Sequence, residues 1–234
     1  MKVVVFTAIF GEKVPIDIPG PFEKINDWDY ILFTNFDADK FAISSWTIQK
    51  VDMPLDIPKY GKYIYANRFF KWHPHVLLKD YDIAIYVDGF QCPNIAYMND
   101  WCGAAEYLIN NNKPIFHCKH ECNACIYKEL IDVVKCQKDV AERTDIVKQF
   151  LLSHDYPHNL GLFWNGCYML NIKHSQNIEK AWKTLWDDMI KFTYRDQTLL
   201  MFEYWKMGIR DDLLVVDLRK MIKNIDHGLN HMYV

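Results

Sequence analysis

An acidic residue and a glycine stand directly after a short apolar run near the middle of this sequence. The run Ile83–Val87 is apolar or aromatic and mostly β-branched, which predicts a strand buried on both faces. Asp88 and Gly89 follow at the carboxyl end of that strand, where open α/β sheets place their ligand crevice. A hard carboxylate oxygen there suits Mn²⁺ or Mg²⁺ bridging a diphosphate. Glycine beside it would let a ligand approach the backbone closely.

Two cationic residues precede this strand. Arg68 and Lys71 are three residues apart in a segment with helical spacing of apolar residues, so they share one face of the predicted helix. Cations that face a crevice can hold a diphosphate. The alternative is an ordinary solvated helix face, which the spacing by itself favours.

A cysteine cluster supports a rival interpretation. Cys118, Cys122 and Cys125 have the C-x₃-C-x₂-C spacing of an iron–sulfur site of the radical S-adenosylmethionine type, and His117 and His120 would extend it to a zinc site. The cluster follows several α/β elements, in a chain short for the barrel that such enzymes use. We therefore rank it below a loop with incidental cysteines.

Composition excludes several classes of protein. The 234 residues are 50% hydrophobic and 15% aromatic, as expected of a packed globule. The net charge of −3, with scattered Lys and Arg, predicts no nucleic-acid partner. No apolar run approaches the roughly 18–20 residues that span a bilayer. Seven cysteines are an odd set for a disulfide framework, so we expect a cytoplasmic protein, in the host cytoplasm if the chain is viral.

Predicted strands alternate with predicted helices along the whole chain. The strands are expected at 3–10, 29–35, 45–51, 83–87, 114–117, 162–172 and 213–217. The helices are expected at 63–78 (kinked or restarted at Pro74), 99–110, 125–152, 178–192 and 196–206. This pattern predicts one α/β domain over 1–234 with a central mixed, mostly parallel sheet flanked by helices.

Six short motifs occur in a characteristic order between residues 3 and 205. They are 7–11 (TAIFG), 66–75 (ANRFFKWHPH), 85–89 (IYVDG), 125–129 (CIYKE), 161–162 (GL) and 195–197 (RDQ). Together they resemble the GT-A glycosyltransferases of the plant TOD/MUCI-like family, which is similar to UDP-sugar glycosyltransferase domains of large DNA viruses of the chlorovirus type. The resemblance implies a GT-A (Rossmann-like) fold, a nucleotide-sugar donor, most often UDP-linked, and a divalent metal.

Two departures from the family pattern concern the metal and a loop. GT-A enzymes commonly carry Asp-x-Asp at the strand end, whereas Phe90 occupies the third position here. Asp88 would then need a further side chain and the diphosphate to complete the metal site, and His227 is a candidate for a late third ligand, a frayed tail being the alternative. The family's His-Pro…Arg-Asp run before Cys-Ile-Tyr is replaced by residues 120–124 (HECNA).

The resemblance also assigns roles around Asp196. A carboxylate in the first turn of a helix can simply complement the helix dipole. The functional alternative places Asp196 beside an oxocarbenium-like transition state, as stabiliser, base or nucleophile, with retention of configuration weakly preferred. Arg195 would orient Asp196 or hold a phosphate, and Gln197 would bond a sugar hydroxyl. The family match favours Arg68 at the diphosphate and leaves Lys71 undecided.

Two further segments complete the expected site. The loop with Thr7, Ala8 and Phe10 ends the first strand, where GT-A enzymes hold the nucleobase and ribose, although Phe10 on its own suits a core position. Residues 164–166, namely Trp164, Asn165 and Gly166, interrupt an apolar strand. Trp164 would stack on a sugar unless it is a core residue. The acceptor, a glycan or glycoprotein, would enter from this side. A non-catalytic sugar-binding module is the remaining alternative.

Overall fold

Strands and helices alternate along the chain in this computed structural model, which describes residues 1–13, 15, 18–25 and 27–225. The strands are β1 (Val3–Ile9), β2 (Asp29–Thr34), β3 (Thr47–Lys50), β4 (Ile83–Val87), β5 (Gln91–Pro93), β6 (Ile115–Lys119), β7 (Phe163–Asn171), β8 (Leu214–Val215) and β9 (Ile222–Asn224). The helices are α1 (Lys62–Trp72), α2 (Pro74–Leu77), α3 (Met98–Asn110), α4 (Ile126–Lys135), α5 (Ala141–Ser153), α6 (Gln176–Phe192) and α7 (Leu200–Lys206). None of these described helices is long and apolar enough to cross a bilayer.

The central sheet has the order β3-β2-β1-β4-β7-β6-β8 in the described part of the chain. Neighbouring strands are parallel except at β7, which runs antiparallel to both β4 and β6. The predicted α/β class with a mixed, mostly parallel sheet flanked by helices is confirmed. Because β4 and β6 both oppose β7, they point the same way, and the carboxyl ends of β1, β4, β6 and β8 lie at one edge. The short antiparallel pair of β5 and β9 was not predicted.

Alternate residues of β1 face two separate halves of the core. Val4 and Phe6 pack in the half that contains buried residues of α1, α4, α5, α6 and α7. Val3 and Val5 pack in the other half, with buried residues of α3. Successive side chains of a strand point to opposite faces, and both faces of β1 are covered, which explains why its sequence is a continuous apolar run.

The observed helix boundaries differ from the predicted ones where a turn interrupts a predicted helix. Pro74 restarts the helix as predicted, since α1 ends at Trp72 and Pro74 is the first residue of α2. The mostly helical segment 125–152 is divided into α4 and α5, and Gln137 between them has a positive φ of 55°. The predicted helix 196–206 begins as the 3-10 turn Asp196–Thr198 and becomes α-helical only at Leu200.

Two buried acids lie between α6 and α7. Glu203 of α7 is fully buried, and Asp188 of α6 is also buried. Burial and the neighbouring Asp188 raise the pKa of Glu203, and the hydrogen bond with Thr184 and the charge of Lys206 lower it, with a net result of about 7. Glu203 therefore binds a proton more tightly in the folded chain than in the unfolded chain.

We expect Glu203→Gln to stabilise the protein at pH 8 by about 3 kcal/mol. The pKa of Glu203 is raised from 4.5 to about 7, so its protonated form favours folding below pH 4.5, and this contribution is lost as the pH rises through 7. Urea unfolding at pH 5 and pH 8 measures the change. Glu106→Gln, at an exposed position of α3, is the control. Equal pH slopes for wild type and Glu203→Gln would contradict the expectation.

Candidate active site at the strand ends

Asp88 lies at the carboxyl end of β4, as predicted, and is half-buried. Its Oδ1 accepts a hydrogen bond of 3.0 Å from the hydroxyl of Tyr86, and its backbone N–H donates to the carbonyl of Gly166 at 3.0 Å. Burial raises the pKa of Asp88, while the charges of Lys71 and Arg68 lower it. Asp88 forms no ion pair within the described residues. Its carboxylate thus has the positive charges of Lys71 and Arg68 nearby but forms an ion pair with neither of them.

Gly89 packs against β1. A Cβ added at Gly89 would lie 3.0 Å from two side-chain carbons of Ile9 and 3.9 Å from Oγ1 of Thr7. Close packing against the Ile9 side chain explains this glycine without a ligand. Thr7 Oγ1 is buried and has no hydrogen-bond partner in the described part of the chain.

The remaining residues of the predicted nucleotide loop point mainly into the protein. The carbonyl of Ala8 accepts a hydrogen bond from the side-chain amide of Asn67. Phe10 is buried and stacks on Phe70 with ring centroids 5.1 Å apart, which supports its alternative as a core residue. Side chains at 8 and 10 therefore form the wall behind the loop.

Asp196 is the centre of a buried ion-pair group. Its Oδ1 is 3.1 Å from Nε of Arg68, and its Oδ2 is 2.7 Å from Nζ of Lys71. The side chains of Asp196 and Lys71 are only 3% and 2% exposed, whereas Arg68 is 17% exposed. The shared helical face of Arg68 and Lys71 is thus confirmed, but it faces Asp196 and the core instead of solvent.

The electrostatics of this group fix the charge of Asp196. Burial by itself raises the pKa of Asp196, but Arg68 and Lys71 together hold it well below its usual value. Burial lowers the pKa of Lys71 against the opposing effect of Asp196. Lys71 also lies over the Tyr86 ring, 4.8 Å from its centroid, which links the group to Asp88. An acid with so low a pKa stays ionised and is a poor proton acceptor at neutral pH.

Arg195 is half-buried beside the same group. Burial is the main cause that lowers its pKa, followed by the charge of Arg68, while Asp196 and Glu129 raise it. Its Nε has no hydrogen-bond partner among the described residues. Arg195 is therefore a half-buried cation whose pKa is raised by two acids, Asp196 and Glu129.

Gln197 holds the first residues of β7. Its Oε1 accepts from the backbone N–H of Asn165 at 3.2 Å, and its Nε2 donates to the carbonyl of Phe163. The Asn165 side chain is 4% exposed, and neither its Oδ1 nor its Nδ2 has a partner in the described part of the chain. Gln197 therefore uses its amide to bond the backbone of β7, and the Asn165 amide is the one left without a partner among these described residues.

Gly166 and Trp164 are packed together. A Cβ on Gly166 would overlap the indole ring of Trp164. The half-buried Trp164 carries the guanidinium of Arg219 at 4.8 Å from the ring, and Arg219 pairs with Glu121 at 2.8 Å. Trp164 is thus held by its neighbours at the amino-terminal end of β7, beside the strand end that carries Asp88.

We expect Gly166→Ala to displace Trp164 and to lower stability by about 1–3 kcal/mol, since the added methyl group overfills a packed position. Gly103→Ala is the matched control, because a Cβ at Gly103 of α3 meets nothing within 4 Å. That control should be neutral or stabilising. Thermal unfolding and tryptophan fluorescence measure both effects, and equal behaviour of the two variants would refute the packing argument.

The three cysteines of the rival interpretation do not converge. Cys118 is buried in the half of the core that contains α3, Cys125 belongs to the opposite half, and Cys122 is exposed. Within residues 1–13, 15, 18–25 and 27–225, no group of three or more His, Cys, Asp or Glu is placed to hold a metal ion. The predicted metal ligand His227 lies outside the described residues.

The structure brings Asp88, Arg68, Lys71, Asp196 and Arg195 into one electrostatic group at this edge of the sheet. Sequence reasoning missed three residues of the surroundings, namely Tyr86, Asn67 and Glu129. Asn67 accepts a 2.6 Å hydrogen bond from Arg68 and precedes it directly in the chain, so its position in the motif 66–75 was the available signal.

A cavity opens at the same edge of the sheet, beyond the carboxyl ends of β6 and β8. Its volume is about 440 Å³, and its lining consists of Lys119, His120, Glu121, Val215, Val216 and Asp217. Only β7 separates β6 from β4, and strands lie about 4.8 Å apart, so this cavity begins roughly 10 Å from the end of β4.

Comparisons with known proteins give structural likenesses only. No protein-family model matches the chain, and no curated protein does. Solved structures with a similar fold include mouse xyloside xylosyltransferase 1 (10% identity, TM-score 0.48, covering 93% of this chain and 85% of that one). They also include a mannosyltransferase from S. cerevisiae (12%, 0.40, 72% and 54%) and core-mannan synthase A from Aspergillus fumigatus in its Mn/GDP form (9%, 0.46, 87% and 69%). Because these TM-scores are below 0.5, the function below is argued from the site.

Proposed function

We propose that this chain is a GT-A glycosyltransferase that moves a sugar from a nucleotide-sugar donor, UDP-linked by preference, to a glycan or glycoprotein acceptor. One observation carries the proposal: of two acids at the same sheet edge, one forms ion pairs and the other does not. Asp196 is paired with two cations, whereas Asp88 has no ion pair among the described residues. Asp88, the acid without an ion pair, lies at the carboxyl end of its strand, where open sheets bind their ligands.

The charge balance of the group supports a divalent cation at Asp88. Arg68, Lys71 and Arg195 contribute three positive charges, and Asp88, Asp196 and the buried Glu129 offset them. A diphosphate would add negative charge that this group does not neutralise. A carboxylate that is half-buried, at a strand end and free of ion pairs fits Mn²⁺ or Mg²⁺, with diphosphate and water oxygens as the other ligands. The cation would supply charge neutralisation to the departing nucleotide.

Arg68, Lys71 and Asp196 have separate roles in the proposed reaction. Arg68 is the most exposed member of the ion-pair group and reaches a phosphate first. Lys71 keeps Asp196 ionised, and Asp196 offers fixed negative charge to an oxocarbenium-like sugar, with retention of configuration as the preferred course. Because its pKa is held low, Asp196 does not take the proton of the acceptor hydroxyl.

Donor and acceptor are assigned to two ends of this edge. The backbone of the loop at Thr7 and Ala8 would contact the nucleotide, and the buried amide of Asn165 would bond a sugar hydroxyl. The acceptor would approach past Trp164 and Gly166 from the cavity at the ends of β6 and β8.

The test is a donor screen with purified protein, Mn²⁺ and a panel of UDP- and GDP-sugars, in which released nucleotide is measured. We expect release from one UDP-sugar, and we expect EDTA to abolish both release and UDP binding in calorimetry. Equal UDP binding with and without metal would overturn the site at Asp88. Nucleotide binding without release from any donor and acceptor would indicate a binding module instead of an enzyme.

A further inference from the structure

Two cysteines that the glycosyltransferase site does not use lie in the loop between β6 and α4. Cys122 is exposed, and Cys125 is 8% exposed at the residue that precedes α4. Both thiols are free, and only Asn123 and Ala124 separate them. The exposed thiol of Cys122 thus lies three residues before the buried thiol of Cys125 in the sequence.

The surroundings of Cys125 favour thiol chemistry. Its Sγ lies 3.9 Å from Nδ1 of His158 and accepts a 3.5 Å hydrogen bond from the backbone N–H of Asn159. The His158 ring is itself held by stacking on Tyr127, with centroids 4.1 Å apart. Cys125 thus has the amino terminus of α4, an imidazole nitrogen and a backbone N–H around its sulfur atom. These contacts come from separate parts of the chain and meet at one sulfur atom.

We propose that Cys122 and Cys125 are a redox-active dithiol that closes to a disulfide under oxidation by a peroxide. The exposed Cys122 thiolate attacks one oxygen of hydrogen peroxide and becomes a sulfenic acid, with hydroxide as the leaving group. The Cys125 thiolate then attacks the Cys122 sulfur and expels a second hydroxide. The two thiol protons and the two hydroxides form two water molecules. Two thiols are oxidised by two electrons, and the peroxide is reduced by two electrons.

Within the described residues, the structure offers this pair no metal site, and it separates the pair from Cys118. Cys118 is buried in the opposite half of the core, so it does not reach Cys122 and Cys125 as a third ligand. No metal-binding group of three or more residues is found in the described part of the chain. The spacing that suggested an iron–sulfur cluster in the sequence is thereby reassigned to a dithiol.

The disulfide would act on the catalytic group through Asn123. The Asn123 backbone N–H donates to Nδ1 of His120 at 3.0 Å, and its buried side-chain amide donates to Oε2 of Glu129 at 2.6 Å. A bond between the flanking cysteines would reorient Asn123, which lies between them, and would thereby weaken its hydrogen bond to Glu129. Helix α4, which carries Glu129, packs against the 3-10 turn Asp196–Thr198 that follows Arg195, so Glu129 lies on the element next to the catalytic group. Oxidation would therefore free the Glu129 carboxylate and change the electrostatic surroundings of Arg195 and Asp196.

The chemical test does not depend on glycosyl transfer. Purified protein is titrated with hydrogen peroxide, remaining thiols are alkylated, and peptides are analysed by mass spectrometry. We expect a peptide linked through Cys122 and Cys125 that is 2 Da lighter than the dithiol and that disappears with dithiothreitol. Cys122→Ser should lose the linked peptide, whereas Cys136→Ser, which removes an exposed cysteine after α4, should keep it. Failure to form the link while Cys136 is oxidised would overturn the dithiol.

The regulatory consequence rests on the proposed function and is measured separately. With the donor identified above, oxidation should lower the transfer rate of wild type at least fivefold, and dithiothreitol should restore it. Cys122→Ser should keep its full rate under peroxide, since this exposed residue is not part of the catalytic group. A linked peptide with an unchanged rate would overturn the regulatory role alone. A linked peptide in a protein without transfer in either state would support the dithiol and refute the proposed function.

Discussion

Asp88→Asn is expected to abolish Mn²⁺-dependent UDP binding and to lower sugar transfer by about 100-fold or more. Asparagine has the size of aspartate but offers no negative charge to a divalent cation. Burial already disfavours the Asp88 carboxylate, as the direction of its pKa shift indicates, so the neutral side chain should not lower the midpoint of thermal unfolding. Calorimetry with UDP and Mn²⁺, initial rates and thermal unfolding are the three measurements.

Asp82→Asn is the matched control at the other end of β4. Asp82 pairs with Lys173 and accepts a 2.7 Å hydrogen bond from the backbone N–H of Lys2, and its side chain is 22% exposed. Losing this peripheral pair should change stability by less than about 1 kcal/mol and leave transfer intact. If Asp88→Asn retains metal-dependent UDP binding, or if both variants lose it together, Asp88 is not the metal ligand.

Asp196→Asn is expected to destabilise the protein by about 3–5 kcal/mol, besides eliminating most transfer. The cause is the buried lysine that remains, because Lys71 is 2% exposed and pairs with Asp196 at 2.7 Å. Removing one partner of a buried ion pair leaves an uncompensated charge. Urea unfolding measures the loss. A wild-type midpoint in the variant would show that the ion-pair group does not stabilise the fold.

The pH dependence of stability and a second substitution show whether the loss in Asp196→Asn comes from the missing charge or from a change in packing. The pKa of Asp196 is lowered in the folded protein, so its stabilising contribution is fully present above the unfolded value of about 4 and is lost progressively as the pH falls from there towards the much lower folded value. Wild type and Asp196→Asn should therefore converge in stability at acid pH. Adding Lys71→Met should recover part of the lost stability at neutral pH, and an additive double-mutant cycle would contradict the pairing.

Local sequence signals predicted the elements and the position of the metal-site candidate. The apolar run at Ile83–Val87 forms β4 with the predicted bounds, and Asp88 stands at its end. The restart at Pro74 and the amphipathic α6 follow equally from near neighbours in sequence. Such features depend on backbone chemistry and on periodicity within about one element, so a sequence by itself contains them.

Contacts between distant segments decided what the predicted residues do. The spacing of Arg68 and Lys71 placed them on one face, but only the packing of α1 against the turn at Asp196 converts that face into a buried ion-pair group. In the same way, Cys118 and Cys125 are close in sequence and lie in opposite halves of the core. Burial and charge pairing are properties of the assembled chain, because both depend on neighbours far away along the sequence. The sequence alone therefore determined which residue types end each strand, and the tertiary structure decided that Asp196 is held in ion pairs whereas Asp88, among the described residues, is not.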